Sequence, residues 1–260
     1  MITYARETTL LTWRGLRAIT RVPERLLDVT IQPVVFILLF LYVFGAAIQV
    51  HGISYKDFLF PGIIAQSLAF GIMGTGTATA NDMREGVVDR FRSMPVGRLA
   101  IISGQVMGQL CEQLLGLVIT VVLGLILGWR PSFDLGHGLE LFGLVALSML
   151  AFTWMGVYVG MVVRSSDAVQ GVGFIVIFPL TFMAGTFVPI AKMDLIPRTI
   201  GDWDPISAFV ATVRKLTENY SSSGSWPLDH PQLAMLLWSL ILLGIFVPLA
   251  LRRFNRTLAA

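Results

Sequence analysis

The sequence predicts an all-α membrane protein: an N-terminal amphipathic interfacial helix followed by six transmembrane helices, with both termini cytoplasmic. Three observations carry this expectation. Of 260 residues, 55% are hydrophobic and only 13% are charged, half the charge of an average soluble domain, at about 25%, and the mean hydropathy is +0.75. That composition does not make a water-soluble surface, and it excludes collagen-like, disulfide-rich and disordered chains. Six apolar runs each approach the ~20 residues needed to cross a bilayer. The basic residues then divide unequally between the two sides that those runs define.

The elements follow in order. Residues 1–30 form the interfacial segment. On a helical wheel Arg6, Arg14, Arg17 and Arg21 fall within roughly 80° of each other, Leu11, Trp13, Leu16, Ile19 and Val22 occupy the rest, and Leu10 intrudes on the basic stripe. A basic stripe beside an apolar face suits a helix lying flat at a membrane surface, as an anchor or as a lever into the first span. Pro23 ends or kinks it. The membrane domain covers 31–251, with spans at Ile31–Val50, Phe58–Ala80, within Leu99–Leu127, Leu139–Val163, about Val169–Val188, and Gln232–Leu251. The second and fifth are interrupted by Gly, Thr and Pro, and polar backbone at that depth must be buried or line a cavity. Residues 252–260 form a cytoplasmic tail. With six spans both termini share a side, and that side carries 13 of the basic residues against 6 on the other. The positive-inside rule makes it the cytoplasm. The surplus of Arg, 16 against 3 Lys, reports orientation rather than a nucleic-acid partner.

Two loops carry more than connection. The segment of about 82–95, between spans two and three, is charged, yet Val87, Val88, Phe91 and Met94 recur at helical spacing before Pro95. Apolar knobs on a charged helix suit docking to a cytoplasmic partner or packing on the chain's own helices. In the outer loop of about 189–231, Asp204 and Pro205 read as an N-cap and first helical residue. Ile206, Phe209, Val210, Val213 and Leu216 follow at helical spacing, which predicts an amphipathic helix in the outer leaflet.

Within the spans, Gln105, Gln109, Glu112 and Gln113 accompany Gly104 and Gly108 on span three, and Gly156 and Gly160 repeat the G-x-x-x-G spacing on span four. Such pairs permit close helix contact. An ionisable Glu112 inside a span is costly and faces a cavity or a partner, in a pathway, a gate or a structural hydrogen bond. Phe36, Phe40, Phe44 and Phe70 on spans one and two read first as packing or lipid contact. His51, His137 and His230 share no metal-ligand spacing. Cys111 reads as a small hydrophobe. No P-loop or zinc-protease motif occurs, so no metal site and no catalytic residue is expected.

In order and spacing these motifs resemble the permease subunit of bacterial type-2 ABC exporters, above all the daunorubicin-resistance type. In the loop after span two, Asp82, Gly86, Arg90, Met94 and Pro95 fit that family's pattern, with Asp82 or Glu85 as the acidic residue. Pro179, Ala184-Gly185 and Pro189 fit its span-five signature, and Asp204-Pro205 with Arg214 fits its later Asn-Pro and Arg-containing helix. The resemblance implies a multi-pass protein of the bacterial inner membrane that exports a hydrophobic or amphipathic drug or lipid. It implies a second permease, identical or paralogous, and a cytoplasmic ATPase dimer that holds the ATP and Mg, with no cofactor on this chain. Arg84, Glu85, Gly86, Arg90, Phe91, Met94 and Pro95 would couple to the ATPase, with Arg164 and Asp167 as a second contact. Glu112, Gln109, Phe70, Pro179, Gly185 and Pro189 would line or gate the pathway. Trp13, Arg14, Arg17 and Arg21 would seat the interfacial helix among membrane lipids. Two alternatives stay open: a permease for lipid-linked polysaccharide, and a stand-alone channel or intramembrane enzyme.

Overall fold

The computed structural model describes residues 23–45, 47–48, 50, 52–85, 98–132, 134–163, 165–218, 220 and 225–259. All secondary structure among the described residues is helical. Helix α1 spans Pro23–Leu38 and continues into a π-helical stretch, Leu39–Phe44. Then come α2 (Tyr55–Arg84), α3 (Arg98–Ile126), α4 (Leu135–Val162) and α5 (Ser166–Met183). A 3₁₀ turn at Ile190–Lys192 leads to α6 (Leu195–Trp203), α7 (Pro205–Glu218), α8 (Trp226–Asp229) and α9 (Pro231–Ala259). Among the described residues five helices, α2 to α5 and α9, are long and apolar enough to cross a membrane, and the apolar stretch Thr30–Phe44 is shorter.

Helix α2 is the axis of the bundle. Its most apolar window is 72% buried, against 17% for α3 and α5, and it packs on α4, α5, α7 and α3. The glycines and threonines that weaken it as a hydropathy signal are what let neighbours approach. A methyl group at Gly160 of α4 would meet the Gly76 carbonyl oxygen, and one at Gly156 would lie 2.7 Å from the Ile72 oxygen. The G-x-x-x-G pair of α4 therefore holds the chain's own α2. Polar termini are capped locally: Ser54 Oγ accepts the Asp57 N–H at 3.3 Å, Asp134 Oδ1 the His137 N–H at 2.8 Å and Ser165 Oγ the Ala168 N–H at 3.2 Å.

Successive long helices run in opposite directions, so the bundle has two ends. At one, Met83, Ile102, Val157, Met161, Leu251 and Phe254 close a small apolar cluster. At the other, α6 to α8 and the turn after α5 form a cap over the start of α2.

Four expectations need correction. The first helix is displaced toward the N-terminus: it ends at Phe44, not Val50, because apolar composition continues through Gly45 after helical hydrogen bonding has stopped. The fifth ends at Met183, not Val188; Gly185 takes φ +72°, a left-handed turn that suits glycine. The residues assigned to a tail after Leu251 continue α9 to Ala259. The helix at Pro205–Glu218 does not lie on a leaflet. Its apolar residues are buried, and so are Ser207, Thr212, Arg214 and Thr217, because it inserts between α2, α4 and α9. The exposed apolar face in this region belongs to α6, where Leu195 is 79%, Ile196 74% and Trp203 57% exposed.

Candidate functional site

A polar groove of about 470 Å³ opens between α1, α2, α3 and α5, a size typical of small-molecule sites. Residues Gln105, Gln109, Glu112 and Gln113 stand at i, i+4, i+7 and i+8, which is one helical face, and that face of α3 turns toward α2. Gln105 Nε2 donates to Thr79 Oγ1 and Asp82 Oδ2, both at 3.2 Å. Gln113 Nε2 donates to Thr75 Oγ1 at 3.2 Å and Thr153 Oγ1 at 3.1 Å. Gln109, Glu112, Gln113, Phe70, Thr77 and Asn81 line the groove, joined by Gln32 from α1 and Gln170 from α5. Glu112 is the midpoint of α3, about 21 Å of helix from either end at 1.5 Å per residue.

Three side-chain atoms on this lining are buried without a hydrogen-bond partner: Gln32 Nε2, Thr77 Oγ1 and Gln113 Oε1. Each such atom costs about 1–3 kcal/mol if nothing meets it. Of the residues expected in a pathway, Glu112, Gln109 and Phe70 lie here. Pro179, Gly185 and Pro189 do not: Pro179 is inside α5, Gly185 turns the chain against Ile190, and Pro189 borders a separate cavity in the cap. The aromatic residues pack on each other. Phe187 stacks on Phe40 at 3.8 Å and on Phe36 at 5.7 Å, and Phe70 meets Phe174 edge-on at 6.2 Å.

A second, apolar groove of about 720 Å³ lies between α3 and α4 and is lined by Leu110, Leu114, Leu141, Phe142 and Met149. Cys111, expected to be buried, is half-buried on its wall.

At the end where α2 finishes, Arg84 and Glu85 are exposed, and Asp167 is exposed in the first turn of α5. The expected docking segment therefore begins inside the last turn of α2. Gly86, Arg90, Phe91, Met94, Pro95 and Arg164 lie outside the described residues, as do Trp13, Arg14, Arg17 and Arg21.

Sequence reasoning missed the cap. Arg214 is 5% exposed. Its Nε and Nη2 donate to the Phe58 carbonyl at 3.0 and 2.8 Å, and Nη2 also donates to the Thr186 carbonyl at 3.1 Å. The guanidinium carbon lies 3.5 Å from the centroid of the Phe58 ring. Burial lowers its pKa to about 9, which leaves it charged at neutral pH. Asp204 caps α7 through the Ile206 N–H at 3.0 Å. Its Oδ2 has no partner, and burial raises its pKa to about 7 against the lowering effect of that backbone bond. On the flank, Trp129 Nε1 donates to Glu218 Oε1 at 2.8 Å, and the Ser132 N–H to the Thr217 carbonyl at 2.9 Å.

Residues 6–217 match the family described as ABC-2 type transporter. The chain belongs to that family. It is similar to the daunorubicin resistance ABC transporter permease protein DrrB1 of Streptomyces coeruleorubidus, with 31% identity over 94% of this chain and 84% of that one. It is also similar to the doxorubicin resistance ABC transporter permease protein DrrB of Mycobacterium tuberculosis, 27% identical over 76% of this chain and 69% of the relative. The inner membrane transport permease YhhJ of Escherichia coli is 28% identical over 75% of this chain, which spans 50% of YhhJ's length. This ABC-2 permease is a multi-pass protein of the bacterial inner membrane, and it is a transport subunit rather than an enzyme.

Proposed function

We propose that this ABC-2 permease is the membrane half of an ATP-driven exporter whose cargo is an amphipathic compound of drug or lipid type. The polar groove carries this reading. Three buried, unpartnered polar atoms and a mid-helix carboxyl group face a cavity of about 470 Å³. A purely structural interior pairs its polar groups or omits them, whereas a transport path needs groups that serve water or cargo in turn. Phe70, Gly71 and Leu117 on the same lining give an apolar side chain of the cargo somewhere to rest. The drug-resistance permeases among the relatives support export as the direction.

In this reading the chain crosses the membrane six times, α1 being the first span, and both termini are cytoplasmic. A second permease, identical or paralogous, completes the path. A cytoplasmic ATPase dimer, which holds ATP and Mg, docks on the segment after Arg84 and on the turn before Asp167. Closure of the ATPases moves the docking segment. Since the segment starts in the last turn of α2, the motion passes along the helix that lines the groove.

The test is a mild-detergent pull-down of the tagged chain from its native membrane, followed by export assays on Glu112→Gln and Gln113→Leu. A stoichiometric ATPase subunit and variants that lose export while keeping that ATPase support the reading. A chain that purifies alone, without any nucleotide-dependent behaviour, refutes it.

A further inference from the structure

The cap holds a smaller cavity, of about 160 Å³, between α6, α7 and the turn after α5. That is several times the ~30 Å³ share of one water molecule in the liquid. Arg214, Arg198, Asp202, Ser207 and Tyr220 contribute its polar lining. Two features of this lining have no structural explanation among the described residues.

The first is the charge of Arg214. A buried cation is normally matched by a carboxylate or another anion. Arg214 has no acidic partner among the described residues: its hydrogen bonds go to two backbone carbonyls. The two carbonyls it touches are neutral, and none of its three hydrogen bonds uses Nη1. The second is Ser207. Its side chain is 1% exposed, it lines the cavity, and its hydroxyl has no partner. A guanidinium with a spare N–H and a serine O–H, facing one small cavity, are complementary to an oxyanion.

We propose that the cap binds a phosphate group, with Arg214 and Arg198 supplying charge and Ser207 a hydroxyl donor. Asp202 opposes the ligand and tempers its affinity, since the lining carries two cations and one carboxylate. The phosphate is either free inorganic phosphate or the headgroup of an anionic phospholipid. The position of α6 admits the second source. Its Leu195, Ile196 and Trp203 side are exposed and apolar, while its Arg198 and Asp202 side faces the cavity, which is how a helix sits at headgroup level. The site requires neither the export reading nor an ATPase, so the two fail or stand independently.

Arg214 also fastens α7 to α2, so its removal confuses binding with folding. Arg198 and Asp202 are half-exposed on α6 and avoid that problem. The experiment measures radiolabelled phosphate binding to the detergent-purified full-length permease by equilibrium dialysis. In parallel, native mass spectrometry counts lipids retained from nanodiscs of phosphatidylglycerol or of phosphatidylcholine. Each is repeated on Arg198→Gln, Asp202→Asn and Ser207→Ala. Loss of a charge-assisted hydrogen bond weakens binding by about tenfold or more in Arg198→Gln, and Asp202→Asn tightens it. Those opposite signs on inorganic phosphate assign the free anion. The same pattern on phosphatidylglycerol alone assigns the headgroup. If neither probe binds, or if the three variants leave both unchanged, the proposal is wrong. A shift of the two charge variants in the same direction, through altered folding, also overturns it.

Discussion

Replacing Asp204 by Asn should remove a loss of stability that the native permease suffers as pH rises from about 4 to about 7. Asp204 sits at the junction of α6 and α7, 4% exposed, with one carboxylate oxygen capping α7 and the other unpaired. Burial raises its pKa from 3.8 to about 7, so the folded state holds this proton more tightly than the unfolded chain. Below pH 4 the carboxyl group is neutral in both states and costs nothing. As pH rises from about 4 to about 7, the unfolded chain ionises freely while the folded state resists, and stability falls. Above about 7 both are ionised and the penalty is constant. At 1.36 kcal/mol for each tenfold change in proton affinity, the full penalty is about 4 kcal/mol. Asn keeps the oxygen that accepts the Ile206 N–H and is an equally good N-cap, but it cannot ionise. Its amide N–H groups replace the unpartnered Oδ2, and any cost of burying them, about 1–3 kcal/mol if they stay unpaired, does not vary with pH. The measurement is thermal unfolding in detergent at pH 5 and pH 8, followed by intrinsic fluorescence. The melting temperature of Asp204→Asn relative to the native protein should be higher at pH 8 than at pH 5. Parallel pH profiles for the two proteins would refute the assignment of the penalty to a buried Asp204.

Three further outcomes follow from the packing and from the proposed coupling. Gly160→Ala drives a methyl group into the Gly76 carbonyl and should cost about 3 kcal/mol, seen as loss of a monodisperse peak on size exclusion, whereas Gly143→Ala, with open space around it, should behave as native. Trp129→Phe removes the indole bond to Glu218 and should cost about 1–2 kcal/mol, read as a lower melting temperature with α-helical circular dichroism unchanged at 20 °C. Phe91→Ala with Met94→Ala should lose the ATPase in a pull-down while the membrane domain stays folded; full ATPase retention and full transport would remove the docking assignment.

The groove was partly legible before folding. Gln105, Gln109, Glu112 and Gln113 share one face of a helix because 3.6 residues make a turn, and that periodicity is local. Gln32, Thr77 and Gln170 were not legible, since they lie on three different helices and acquire meaning only when packing brings those helices together. The cap was misread for a related reason. The Pro205–Glu218 pattern of apolar and polar positions matches a leaflet helix, but the helix is buried in the chain itself and its Arg214 finds its partners there. Arg214 meets a carbonyl 156 residues away, and no periodicity reports such a partner. The turn at Gly185 and Pro189 was visible as a break, but whether it borders a groove or caps an end depends on where α5 stops.

Sequence alone determined the quantities that water and lipid impose on each segment separately: membrane class, the approximate places of the long helices, the family, and the inequality of basic residues between the two sides. Those depend on composition over about 20 residues, and the bilayer reads them one span at a time. Tertiary structure decided which helix is central, which amphipathic helix is buried and which leaves its apolar face exposed, and where uncompensated polar atoms gather. These depend on close packing, in which a glycine in α4 matters because a carbonyl in α2 lies against it, and on burial, which raises the pKa of Asp204 and strips Arg214 of solvent only after four helices have closed around them.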